Sequence, residues 1–197
     1  MKSEIVRSPL FYVGDKYKLM REIRSHFPTT IGRLIEPFVG GGSVFMNTNA
    51  SVCLANDIDK YIIQLHNWLS EYKETPDDLF GLLTESINHY GLSFSLIRDE
   101  VPDCLKKQYP KTYFAKFNKT AYSQMRQDFN DSGKSNLCLL YLLLIYGFNR
   151  MLRFNGKGDF NLPVGNVDFN LNTQKAILDY FDVVKKRQVT FTSLDFR

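Results

Sequence analysis

Short apolar runs alternate with helix-spaced apolar stripes at both ends of the chain. The pattern predicts helices over 16–26 and 59–72, a short helix over 43–48, and strands over 33–38 and 51–56. Such alternation of strand and helix is the signature of a parallel α/β sheet. Residues 75–89 read as a further helix, opened by Pro76 and by Asp77 and Asp78 against the dipole. From there the alternation stops, leaving only helical patterns and one hairpin until an amphipathic stretch at 173–186 and a β-branched run at 189–193, the third strand of the sheet. The plan is therefore a sheet region over 1–71, a mostly helical insertion over 72–170, and a return to the sheet over 171–197.

The most informative stretch is Glu36-Pro37-Phe38-Val39-Gly40-Gly41-Gly42-Ser43-Val44-Phe45, where an apolar strand closes on a glycine turn and runs straight into a helix. Glycines let backbone N–H groups approach a ligand, and the helix start offers further N–H donors. A second apolar segment, Val52-Cys53-Leu54-Ala55, ends in Asn56-Asp57, where a carboxylate can take a ribose hydroxyl pair. No lysine follows Gly42, which disfavours a triphosphate loop, and Phe45 stands where a dinucleotide fingerprint needs its third glycine. S-adenosylmethionine is the remaining common occupant. The competing reading is an ordinary strand–turn–helix with a surface aspartate.

Asn155-Gly156-Lys157-Gly158 supplies turn residues, with 151–154 and 159–162 as flanking short strands. A two-stranded ribbon of this kind fits a major groove: Arg153 can fork onto guanine O6 and N7, Lys157 can neutralise a phosphate, and Phe148 can fill the stack when a base leaves it. Alternatively Arg153 is a plain hairpin charge and Phe148 belongs to the core.

These segments together resemble the Dam-type DNA adenine-N6 methyltransferases. The family's cofactor motif, E-P-F-x-G-x-G-[AS]-[VL]-F, is matched by Glu36 to Phe45. Its short G-[GN]-K segment is matched by Gly14-Asp15-Lys16, its ribose acid by Ala55-Asn56-Asp57, and its long recognition hairpin by Gly147-Phe148-Asn149 through Pro163-Val164-Gly165. Departures are Asp15 for Gly or Asn, Arg150 for the Gly after Asn149, and Val164 for an aromatic. The resemblance implies a Rossmann-like methyltransferase sheet carrying a target-recognition insertion. It also implies S-adenosylmethionine as cofactor, with Lys16 and the loop Gly40, Gly41, Gly42 and Ser43 at its methionine end, Asp57 at the ribose, Asp195 and Phe196 at the adenine, and Tyr12, Glu36 and Phe38 beside them. Double-stranded DNA is the implied partner, contacted by Phe148, Asn149, Met151, Arg153 and Pro163, with Lys157 added by the hairpin chemistry above, most commonly at G-A-T-C sites, in a restriction–modification or other methylation role. The family's catalytic [DNS]-P-P-[YF] segment has no match, since all seven prolines stand alone. No catalytic residue is therefore assigned in this chain. The expectation is an N-terminal or truncated portion, inactive by itself, that needs a C-terminal portion or partner chain to supply that motif. The alternatives are an inactive S-adenosylmethionine- or DNA-binding module and an unrelated nucleotide-binding α/β protein.

Composition agrees with this picture without adding to it. At 197 residues and 44% hydrophobic, the chain can bury a core, and a net charge of +4 is a mild basic bias. Lys106, Lys107, Lys111, Lys116, Lys119 and Arg126 fall in a stretch without acids, interleaved with Tyr109, Tyr113, Phe114, Phe117 and Tyr122. That stretch reads as a solvated helix face over an aromatic inner face in preference to a nucleic-acid patch. Cys53, Cys104 and Cys138 are scattered, which indicates neither a disulfide framework nor a metal site. The charged N-terminus does not read as a signal peptide and the apolar run 137–146 is too short to span a bilayer, so a cytoplasmic location is expected.

Overall fold

The computed structural model describes residues 4–98 and 100–197. The chain divides into two units, Met1–Pro76 with Lys175–Arg197, and Asp77–Gln174.

In the first unit, apolar and β-branched runs form β1 (Ile31–Glu36), β2 (Ala50–Asn56) and β3 (Gln188–Thr192), all parallel, in the order β1-β2-β3. The register sets Glu36 beside Ala55 and Ala55 beside Phe191, on the face that also buries Cys53. One residue away the pleat turns outward, and Ile35 and Leu54 are exposed there. Between β1 and β2 lies α2 (Ser43–Asn47), preceded in the chain by a 3-10 turn at Tyr17–Leu19 and α1 (Met20–Ser25). The single helix predicted over 16–26 is thus split, because its first turn is wound more tightly. After β2, Asp59 caps α3 (Lys60–Glu71) by accepting from the Tyr61 N–H at 2.9 Å. The helix buries Ile62, Ile63, Leu65, His66 and Leu69, and α8 (Leu171–Lys186) leads back into β3. This is the parallel α/β class that the alternation predicts, and the short three-stranded sheet is consistent with part of the Rossmann-like fold that the resemblance implies.

The second unit is built from α4 (Pro76–Tyr90), α5 (Asp103–Gln108), α6 (Tyr113–Asp131) and α7 (Leu137–Tyr146). The last is apolar on every side, and Cys138 through Tyr146 are all buried, which makes it the centre of this unit's core, with α6 packed against it. Two tyrosines satisfy their hydroxyls inside that core, Tyr122 on the Leu143 carbonyl at 3.1 Å and Tyr146 on the Ser93 carbonyl at 2.6 Å. Among the described residues no helix is long and apolar enough to cross a membrane.

Candidate functional site

The glycine turn after β1 is bent by Gly40 and Gly42, at φ 47° and 88°. Gly42 has no substitute, since a Cβ there would lie 2.4 Å from the Phe45 ring and 3.0 Å from that of His66. Asp57, one residue past β2, accepts the Gly40 N–H on Oδ2 at 2.9 Å and the Asp59 N–H on Oδ1 at 3.0 Å. Each oxygen keeps a second lone pair for another donor. Tyr12 lies against the turn, 3.3 Å from where a Gly41 Cβ would be. Burial raises the pKa of its phenol, reinforced by Asp59 and Asp57. The Ser8 hydroxyl donates to the Gly41 carbonyl. The Lys16 ammonium donates to the Gly14 carbonyl at 2.7 Å, and Asp15 Oδ1 accepts from the Tyr17 N–H and the Ser43 hydroxyl. Tyr12, Asp15, Ser43, the glycines and Asp57 are thereby brought together as one cradle.

Phe38 and Phe196 flank this cradle at the ends of β1 and β3, each about 60% exposed, with ring centroids 4.8 Å apart in an edge-to-face pair. Asn56 holds them in place. Its amide donates to the carbonyls of Pro37 at 3.2 Å and Leu194 at 2.9 Å, while its oxygen accepts from the Leu194 N–H at 2.9 Å and the Thr192 hydroxyl at 2.8 Å. Asp195 turns to its own neighbour and pairs with the Arg197 guanidinium at 2.8 Å.

Two further side chains work from beneath the turn. Glu36 is nearly buried and its Oε2 accepts the Phe45 N–H at 3.0 Å, which satisfies a donor in the first turn of α2. Burial pushes its carboxyl up to about 8, against the pull of that hydrogen bond and with a smaller push from Asp57, so the group is mostly protonated at neutral pH. His66 is fully buried, and Nε2 carries the proton because its partner is the Gly40 carbonyl at 2.9 Å. Its ring stacks on Phe191 at 4.8 Å, and Nδ1 lies 3.3 Å from the Tyr180 hydroxyl. Burial drives the imidazole down to about 4, although the Gly40 bond and Asp57 oppose this. Sequence reasoning assigned no role to His66 or Asn56. The only local signal for His66 was a single polar residue within the buried stripe of the helix predicted over 59–72.

The proposed nucleic-acid residues lie in the second unit. Gly147 and Gly165 bring two segments into van der Waals contact, with Phe148 N–H donating to the Pro163 carbonyl at 2.9 Å and Gly165 N–H to the Tyr146 carbonyl at 2.7 Å. Phe148 is half exposed on this platform and Pro163 is exposed beside it. Asn149 and Arg150 follow at φ 53° and 50°. The left-handed geometry at Arg150 explains why a glycine suits that position in the family pattern. The hairpin forms, but not with the two regular strands expected over 151–154 and 159–162. Its arms meet at an isolated Phe154–Phe160 bridge, with Asn155 N–H donating to the Asp159 carbonyl at 2.8 Å and Asn161 N–H to the Arg153 carbonyl at 3.0 Å, while Asn155 Oδ1 draws the turn together by accepting from both Lys157 and Asp159 N–H at 2.9 Å. Phe160 is buried against Phe129, and Asn130 bonds both its N–H and its carbonyl, so α6 anchors the hairpin. The Arg153 fork is occupied, with Nε and a terminal nitrogen donating to Asn161 at 2.8 and 2.6 Å. Lys157 is exposed at the tip and Met151 is partly covered. Among the described residues no group of three or more His, Cys, Asp or Glu side chains is placed to hold a metal ion.

Comparison with known proteins adds a family and several relatives. The family model of D12 class N6 adenine-specific DNA methyltransferases matches residues 12–197. The chain is 27% identical over 193 residues to the Type II methyltransferase M.FokI of Planomicrobium okeanokoites, covering 97% of this chain and 26% of that protein. It is 32% identical over 167 residues to the DNA adenine methylase of Escherichia coli (strain K12), covering 81% of this chain and 48% of the relative. With the DNA adenine methylase of Serratia marcescens the identity is 31% over 195 residues, covering 97% and 60%. The chain spans about a quarter of the first relative and roughly half of the two DNA adenine methylases.

Proposed function

This chain belongs to the D12 class N6 adenine-specific DNA methyltransferases, and on that premise we propose that the protein moves the methyl group of S-adenosylmethionine to the N6 amine of an adenine in duplex DNA. The observation that carries the cofactor half of this reading is the Asp57–Gly40 hydrogen bond beside the exposed Phe38–Phe196 pair. A carboxylate with a lone pair to spare on each oxygen suits two ribose hydroxyls, and an edge-to-face aromatic pair suits a purine ring. Lys16 and Ser43 suit the amino-acid end. When bound, the cofactor supplies an electrophilic sulfonium methyl; the work of these residues is to grip, orient and desolvate it.

The second unit takes the role of target reader. Phe148, held half out of its platform, fills the space of an extruded base. Asn149, Met151 and Pro163 border it, Arg153 contacts a base edge through the guanidinium N–H donors that Asn161 leaves over, and Lys157 contacts a phosphate, within a G-A-T-C-like site. Calorimetric titration with S-adenosylhomocysteine and with ATP tests the cofactor assignment. Saturable binding of the first without the second is expected, and the reverse order would overturn the reading.

A further inference from the structure

Asp15 departs from the family pattern, and one of its oxygens is an orphan. Oδ1 serves the Tyr17 N–H and the Ser43 hydroxyl, whereas Oδ2 is screened from solvent and has no hydrogen-bond partner. A shielded carboxylate oxygen without a donor is costly, and such an atom in an otherwise well-satisfied site calls for an explanation. The residue as a whole is only partly buried, so this oxygen lies just below the surface of the cradle. Ser43 ties the carboxylate to the glycine turn, and the next residue, Lys16, presents an exposed ammonium anchored on the Gly14 carbonyl. Consecutive residues thus offer a negative and a positive group where Ser43 joins the glycine turn. An α-amino acid is the ligand chemistry that matches such a pair, because it carries an ammonium and a carboxylate on a single carbon.

We propose that Asp15 is the acceptor for the α-ammonium of the methyl donor, with Lys16 facing its α-carboxylate, so that Gly14-Asp15-Lys16 recognises the zwitterion. This rests on the S-adenosylmethionine reading of the cradle. The α-ammonium supplies the donor that Oδ2 lacks, and the resulting bond is charge-assisted and partly desolvated.

Asp15→Asn separates this role from a structural one, because the amide oxygen still accepts from Tyr17 and Ser43 while the charge is gone. The affinities of the wild-type chain and of Asp15→Asn are measured by calorimetry for S-adenosylhomocysteine and for its analogue lacking the α-amino group. Asp15→Asn is expected to weaken S-adenosylhomocysteine by about 10- to 150-fold and to leave the desamino analogue unchanged. Equal S-adenosylhomocysteine affinity in the two proteins overturns the inference and leaves the cofactor reading standing. Equal losses for both ligands also overturn it, since Asp15 then acts only through the fold. If the wild-type chain binds neither ligand, the cofactor reading itself fails and this inference falls with it.

Discussion

Replacing His66 with glutamine tests the electrostatics of the cradle. Glutamine keeps an N–H donor for the Gly40 carbonyl but does not titrate. The folded imidazole is held at about 4 against 6.5 for an ordinary histidine, and that gap is worth about 3 kcal/mol. Because the folded value is the lower one, the contribution of His66 is complete above pH 6.5 and is lost as pH falls through about 4. Glu36 runs the other way. Its folded value of about 8 exceeds the ordinary 4.5, so its contribution is present below 4.5 and is lost as pH rises through about 8. Between pH 4.5 and 6.5 the two groups oppose each other, and their combined effect on the wild-type chain is nearly flat. His66→Gln removes one side of that balance. Urea unfolding followed by the fluorescence of Trp68, the sole tryptophan, in α3, reports on the first unit. The stability difference, wild type minus His66→Gln, should grow by about 3 kcal/mol as pH rises from 4 to 6.5 and then level off. Parallel profiles across that window would show that the buried imidazole is not what the fold holds neutral.

Asp57→Ala should weaken S-adenosylhomocysteine by about 1.5–3 kcal/mol without unfolding the chain; unchanged calorimetric affinity would move the ribose site elsewhere. Gly42→Ala forces a methyl against Phe45 and His66 at a left-handed φ, and should lower stability by about 2–4 kcal/mol; an unfolding midpoint equal to wild type would refute the packing argument. Arg153→Ala should relax discrimination at one base pair by about 1–3 kcal/mol, whereas Lys157→Ala should weaken all duplexes alike and flatten the salt dependence. Equal loss on cognate and non-cognate DNA for Arg153→Ala would reduce it to a phosphate contact.

The cradle was legible where its chemistry is local. Gly40, Gly42 and Asp57 announce themselves because a glycine turn between a strand and a helix, followed by an acid after the next strand, has few uses. His66, by contrast, acts on Gly40 from 26 residues away, and nothing within α3 indicates which carbonyl it meets. Asn56 joins Leu194 across 138 residues, a contact that only sheet order reveals. The hairpin was read correctly at its turn and too generously in its strands, because turn residues alone do not show that Asn155 and α6 take over the work of a ladder. Arg153 was read as a fork for guanine or a plain hairpin charge, and its engagement with Asn161 depends on a cross-hairpin register invisible in the sequence.

The sheet order also has a kinetic consequence. β2 pairs with β3, so Val52 meets Gln188 only after the whole of Asp77–Gln174 has been spanned. Closing so long a loop with a flexible chain costs entropy that grows as the logarithm of its length, with each doubling adding about 0.6 kcal/mol. A compact second unit shortens the effective tether and so lowers that cost. Phe196 follows β3 in the chain, so half of the aromatic pair reaches Phe38 only when β3 pairs with β2. A substitution that loosens the helices of the second unit lengthens that tether, with a slower and less favourable closure of the sheet as the expected outcome.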